Sequence, residues 1–72
     1  MVEMFDVTGS SRITQIGYDA ETATVCVRFN DGTPWCYRGV PPETWDEFVR
    51  ASSKGKFINE VLNHFDHGRG DF

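Results

Sequence analysis

The sequence predicts an α+β domain, a three-stranded antiparallel β-meander followed by two α-helices packed on one face of the sheet. Two observations carry this reading. Apolar and polar residues alternate with a period of two through the first half of the chain, interrupted by turn residues. After Gly39 the apolar spacing lengthens to a helical period, twice.

The first strand spans Ser11 to Tyr18, where Thr14, Ile16 and Tyr18 alternate onto one face. "DAET" is a polar connection. From Ala23 the alternation is clean: Ala23, Val25, Val27 and Phe29 point one way, Thr24, Cys26 and Arg28 the other. "NDG" turns the chain into "TPWCYR", the third strand. A two-residue Asp31-Gly32 turn would set Val27 opposite Cys36. A three-residue loop, with Asn30-Asp31 in a type I turn and Gly32 left-handed in a bulge, sets Val27 opposite Trp35. Only the second puts every apolar residue of both strands on one face, because a one-residue slip reverses the faces. The bulged turn is therefore expected, with Pro34 on an edge strand, where a missing N–H costs little.

"GVPP" ends the sheet. Prolines 41 and 42 suit the first turn of a helix, and Glu43, Asp46 and Glu47 complement its positive end. Trp45, Phe48, Val49 and Ser52 follow helical spacing, so the first helix runs from about Pro42 to Ala51. The second runs from about Gly55 to Phe65, with Ile58, Val61, Leu62 and Phe65 in one stripe and Phe57 at its edge. Residues 1–9 read as an N-terminal arm, 10–65 as the single domain and 66–72 as a flexible polar tail.

Seventy-two residues make one small domain with little core to spare, and 39% hydrophobic with 14% aromatic residues supply that core. The net charge of −4 opposes non-specific nucleic-acid binding, which draws on clustered Lys and Arg. No apolar run is long enough for a membrane span, and the N-terminus lacks the pattern of a secretory signal. Two cysteines in such a chain suggest free thiols and the cytoplasm.

"ASSKGKFIN", residues 51–59, superficially suggests a phosphate loop. A Walker motif needs glycine five positions before Gly55 and Ser or Thr after Lys56, where this chain has Arg50 and Phe57. The stretch reads instead as a helix–helix corner, with Ser52 or Ser53 capping the second helix. Lys54 and Lys56 beside that helix start make a candidate anion contact.

Together "SSRITQIGYD", "VCVRF", "GTPWCYRGVPPETW" and "ASSKGKFIN" resemble the KTSC domain, found at the C-terminus of some lysyl-tRNA synthetases and as small free-standing bacterial and phage proteins. The family's central Tyr-x-Tyr corresponds to Trp35-Cys36-Tyr37, with Trp in place of the first Tyr. Its Gly-Val-Pro turn corresponds to Gly39-Val40-Pro41, and its small-residue corner to Ala51, Ser52, Gly55, Phe57 and Asn59. The resemblance implies an RNA-binding or accessory module without established chemistry.

The residues themselves offer no catalytic constellation. Neither cysteine has a histidine nearby in sequence, and His64-x-x-His67 lacks further zinc ligands. Cys26 and Cys36 are expected to face each other on the outer side of the sheet as free thiols close enough to oxidise. No enzyme, cofactor or metal is expected. Binding remains, and the candidate surface is that outer face, where Arg28 and Arg38 join Gln15 and Thr24, with Ile13 beside them by the same register. The primary expectation is a protein-interaction or regulatory module with an unidentified protein partner. The alternative is a weak RNA-binding accessory domain, which gains if Trp35 and Tyr37 are exposed for base stacking.

Overall fold

The computed structural model describes residues 2–72. The class is α+β as expected, but the sheet has five antiparallel strands rather than three, in the order β1-β2-β3-β4-β5. They are β1 (Met4–Asp6), β2 (Ile13–Asp19), β3 (Thr24–Phe29), β4 (Pro34–Arg38) and β5 (Asp66–Arg69). The segments read as an N-terminal arm and a flexible tail thus each supply an edge strand. Neither "MFD" nor "DHGR" carries a buried alternating face, because both are held by main-chain pairing to a formed neighbour.

The central hairpin has the bulged register. Val27 pairs with Trp35 and Cys26 with Cys36. Gly32 donates its N–H to the Phe29 carbonyl at 2.9 Å and has φ +88°, a conformation that favours glycine. The Phe29 N–H bonds the Thr33 carbonyl at 3.0 Å. Alternation from that bonded pair makes Cys26–Cys36 a non-hydrogen-bonded pair, in which side chains approach most closely. Pro34 is not on an edge, since β4 lies between β3 and β5. It is tolerated because it opens the strand, one residue outside the register with β5, and only its carbonyl is used, accepting from Gly70 N–H at 3.0 Å.

Strand β2 departs from strict alternation. Ile13 pairs with Phe29 and Gln15 with Arg28, leaving Thr14 as an extra residue in a bulge. The bulge turns Ile13 into the core, 1% exposed, instead of onto the outer face, and leaves Thr14 exposed with its hydroxyl donating to the Arg28 carbonyl.

Both helices pack on the inner face. Helix α1 (Pro42–Arg50) has Pro at its start and Glu43 in its first turn. Phe48 is fully buried and Trp45 stacks on Tyr18 at 5.4 Å, but Val49, placed on the buried stripe by its spacing, is exposed. Helix α2 is shorter than expected (Lys54–Glu60). Val61 leaves helical geometry at φ −121°, and Leu62–His64 form a 3-10 turn. Ile58 and Leu62 still reach the core, joining Ile16, Val25, Val27, Tyr37, Val40 and Phe48. The "GVPP" segment is tied down by the Tyr18 hydroxyl, which donates to the Val40 carbonyl at 2.6 Å. Among the described residues no helix is long and apolar enough to cross a membrane.

Candidate functional site

Strand β4 projects Trp35 and Tyr37 from the inner face, where β5 sets Arg69 opposite Trp35 and His67 opposite Tyr37. Ile58 and Asn59 of α2, with Asn63 of the 3-10 turn, form the opposite wall of an open cleft of about 580 Å³. The β3–β4 hairpin contributes Phe29, Asn30, Asp31 and Thr33, and Arg12 enters from the residue before β2. Tyr37 is buried at 3% exposure, whereas Trp35 is half-buried with the cleft in front of it. The His67 ring lies 5.4 Å from that of Tyr37 and 6.3 Å from that of Trp35, and its Nδ1 donates to the Phe65 carbonyl at 2.8 Å.

The electrostatics favour an anion. The guanidinium groups of Arg12 and Arg69 have no hydrogen bond or ion pair among the described residues. Asp31 is the one carboxylate lining the cleft among the described residues, and its oxygen already accepts the Thr33 N–H at 2.9 Å. That bond, with a smaller pull from the Arg69 charge, holds the Asp31 carboxyl below its ordinary value. Burial pushes the Tyr37 phenol upward, against the opposing pull of Arg12. The phenol is thus neutral near pH 7, a hydrogen-bond donor at the foot of the cleft.

The residues singled out by sequence lie elsewhere or are engaged. Gln15, Thr24, Arg28 and Arg38 share the outer face, in two rows separated by the Cys26–Cys36 row. Arg38 pairs with Asp66 at 2.9 Å, and Arg28 bonds the Gly32 carbonyl while lying over the Phe72 ring at 5.2 Å. Gln15 donates to Asp6, and the Thr24 hydroxyl to the Thr22 carbonyl. At the helix corner, Lys54 Nζ donates to the carbonyls of Val49 and Ala51, capping the end of α1. Ser53 accepts the Lys56 N–H at 3.4 Å as the α2 cap, while Ser52 and Lys56 are exposed. These residues, with Arg12 and Thr8 to Ser11, surround a separate polar recess of about 240 Å³.

Of the family-motif positions, Trp35, Tyr37 and Asn59 line the cleft. Gly39 takes φ +76° and Val40 is fully buried beside Pro41, the cap residue that precedes α1. Ala51 ends that helix, Gly55 lets the Arg12 side chain pass at 3.4 Å from where a Cβ would sit, and Phe57 stacks on Phe48 at 5.4 Å. Arg12, Asn63 and Arg69 escaped the sequence reading, and His67 enters it only as a possible zinc ligand with His64. Only the pairing of β5 with β4 brings His67 and Arg69 to the aromatics, and "DHGR" has no pattern that announces a strand.

A small five-stranded meander carrying two helices and an aromatic cleft on one face defines a class of compact α+β domain. The KTSC domain model matches residues 9–65, and the chain belongs to that family. The KTSC domain protein of Yersinia pestis superposes with a TM-score of 0.90 at 30% identity, covering 99% of this chain and 100% of that one. A protein of Tsukamurella paurometabola is 38% identical over 53 residues, 74% of this chain and 79% of its own length. A lysine–tRNA ligase of Nostoc punctiforme is 33% identical over 52 residues, 72% of this chain but 9% of the ligase.

Proposed function

We propose that this KTSC domain is a non-catalytic binding module that holds a short single-stranded RNA segment in the cleft between β4–β5 and α2. The observation that carries the reading is that half-buried Trp35 shares one cleft with two arginines, Arg12 and Arg69, whose guanidinium groups make no hydrogen bond or ion pair among the described residues. An aromatic face stacks a base of any identity, and flanking guanidiniums take phosphates. Asn30, Asn59 and Asn63 supply amides able to bond a base edge. The outer-face arginines expected to carry RNA are weaker candidates, because Asp66 and Phe72 already occupy them. The likeness to part of a lysine–tRNA ligase supports the same substrate class. A protein partner, the primary expectation from composition, has no comparable surface feature in its favour.

The test is fluorescence anisotropy of labelled single-stranded RNA at low salt. Trp35→Ala is expected to cost about 1–3 kcal/mol, the contribution of one stacked base. Arg12→Ala with Arg69→Ala should reduce the slope of log affinity against log salt by about 1.4, two contacts at roughly 0.7 each. Arg28→Ala with Arg38→Ala should leave that slope unchanged. Absence of binding at 50 mM salt and tens of micromolar protein overturns the RNA reading and returns the cleft to a protein ligand.

A further inference from the structure

The outer face holds a second cavity, unrelated to the RNA cleft. Register places Met4, Gly17, Cys26 and Cys36 side by side across four strands, so their side-chain directions share one face. Gly17 has no side chain, and the Met4 sulfur lies over it, 2.7 Å from where a Cβ would stand. The thioether thus sits over the position that lies between Met4 and Cys26 in the register. All three sulfur-bearing side chains line one cavity of about 330 Å³, which Phe72 also lines. Both cysteines are free, and Cys26 is only 5% exposed. Asp19 and Asp71 line the same cavity, and among the described residues no Lys or Arg does.

We propose that Met4, Cys26 and Cys36 form a three-sulfur site for a soft monovalent cation, Cu(I). Thiolate and thioether donors select Cu(I) over harder ions, and calcium or magnesium would require a shell of oxygens. A structural zinc site would require four ligands. The two carboxylates draw a cation toward the cavity, beside the apolar side chains of Val2 and Phe72. On binding, Cu(I) keeps its oxidation state, two S–Cu bonds replace two S–H bonds, the Met4 sulfur donates a lone pair, and two protons leave to solvent. Affinity therefore rises with pH.

The test is anaerobic titration of the reduced full chain with Cu(I) in competition with a chromogenic Cu(I) chelator, with native mass spectrometry for stoichiometry. One Cu(I) per chain is expected, at a mass showing the loss of two protons. Losing a direct ligand should exceed the roughly 10-fold that a supporting group costs, so Cys36→Ser and Met4→Leu should each weaken binding by more than that. Met4→Leu conserves volume, and an unchanged melting temperature confirms that the fold survives. Failure of the wild type to compete with the chelator overturns the proposal. So does Met4→Leu binding Cu(I) as tightly as the wild type.

Discussion

Cys26 sits opposite Cys36 in a row of small side chains, and its surroundings set its chemistry. Burial, then the neighbouring Cys36, push its thiol from 9.0 up to about 12. The folded state therefore favours the protonated form. That stability is complete below pH 9 and is lost as pH rises toward 12. Urea titrations under reducing conditions should show stability falling from about pH 9 with a slope of up to ~1.4 kcal/mol per pH unit. Cys26→Ala should delay the fall until the tyrosines titrate from 10.0, since burial raises Tyr37 and Tyr18 as well. An identical onset in the variant would contradict this. The same adjacency predicts a disulfide on mild oxidation, seen as an intramolecular loss of two hydrogens in the intact mass. A product made only of linked dimers would contradict the Cys26–Cys36 register.

Strand β1 depends on one residue of its neighbour. A Cβ at Gly17 would lie 2.7 Å from the Glu3 carbonyl oxygen and 2.9 Å from Val2 Cγ1. The carbonyl is main chain and cannot swing aside, so the whole strand would have to move. Gly17→Ala should therefore strip hydrogen-exchange protection from the Met4–Asp6 amides while β3 and β4 stay protected. Retained protection at β1 would show that the strand adjusts in place. Helix α1 is anchored differently, through the fully buried Phe48. Phe48→Ala should cost about 3–5 kcal/mol, the usual range for a large aromatic truncated in a core. Chemical denaturation measures it directly.

The domain as a unit relies on its C-terminal segment more than its composition suggests. Removing residues 66–72 would leave β4 as an open edge carrying Trp35 and Tyr37, and unpaired edges recruit other chains. A chain ending at Phe65 should be less stable and should self-associate, as read by denaturation and by light scattering after size exclusion. A truncated chain that stays monomeric with full stability would mean that β5 contributes nothing to the sheet. The same deletion removes His67 and Arg69 from the aromatic cleft and Asp71 and Phe72 from the cavity lined by Met4, Cys26 and Cys36.

The sequence by itself determined the class, the central hairpin with its bulged turn, the inward face of Val25, Val27 and Tyr37, and the start of α1. Each follows from a local rule: alternation, a glycine at positive φ, or prolines followed by acids. The family was equally legible, in Trp35-Cys36-Tyr37 and Gly39-Val40-Pro41. Tertiary structure alone decided the two edge strands, the bulge at Thr14, the early end of α2 and the cleft itself. An edge strand is recruited by hydrogen-bonding groups that every residue carries, so its side chains need show no pattern. Which arginines are available is likewise a question of neighbours. Arg28 and Arg38 alternate outward as expected, yet Phe72 and Asp66 meet them there, while Arg12 and Arg69, distant in sequence, line one cleft with no hydrogen bond or ion pair to their guanidiniums among the described residues.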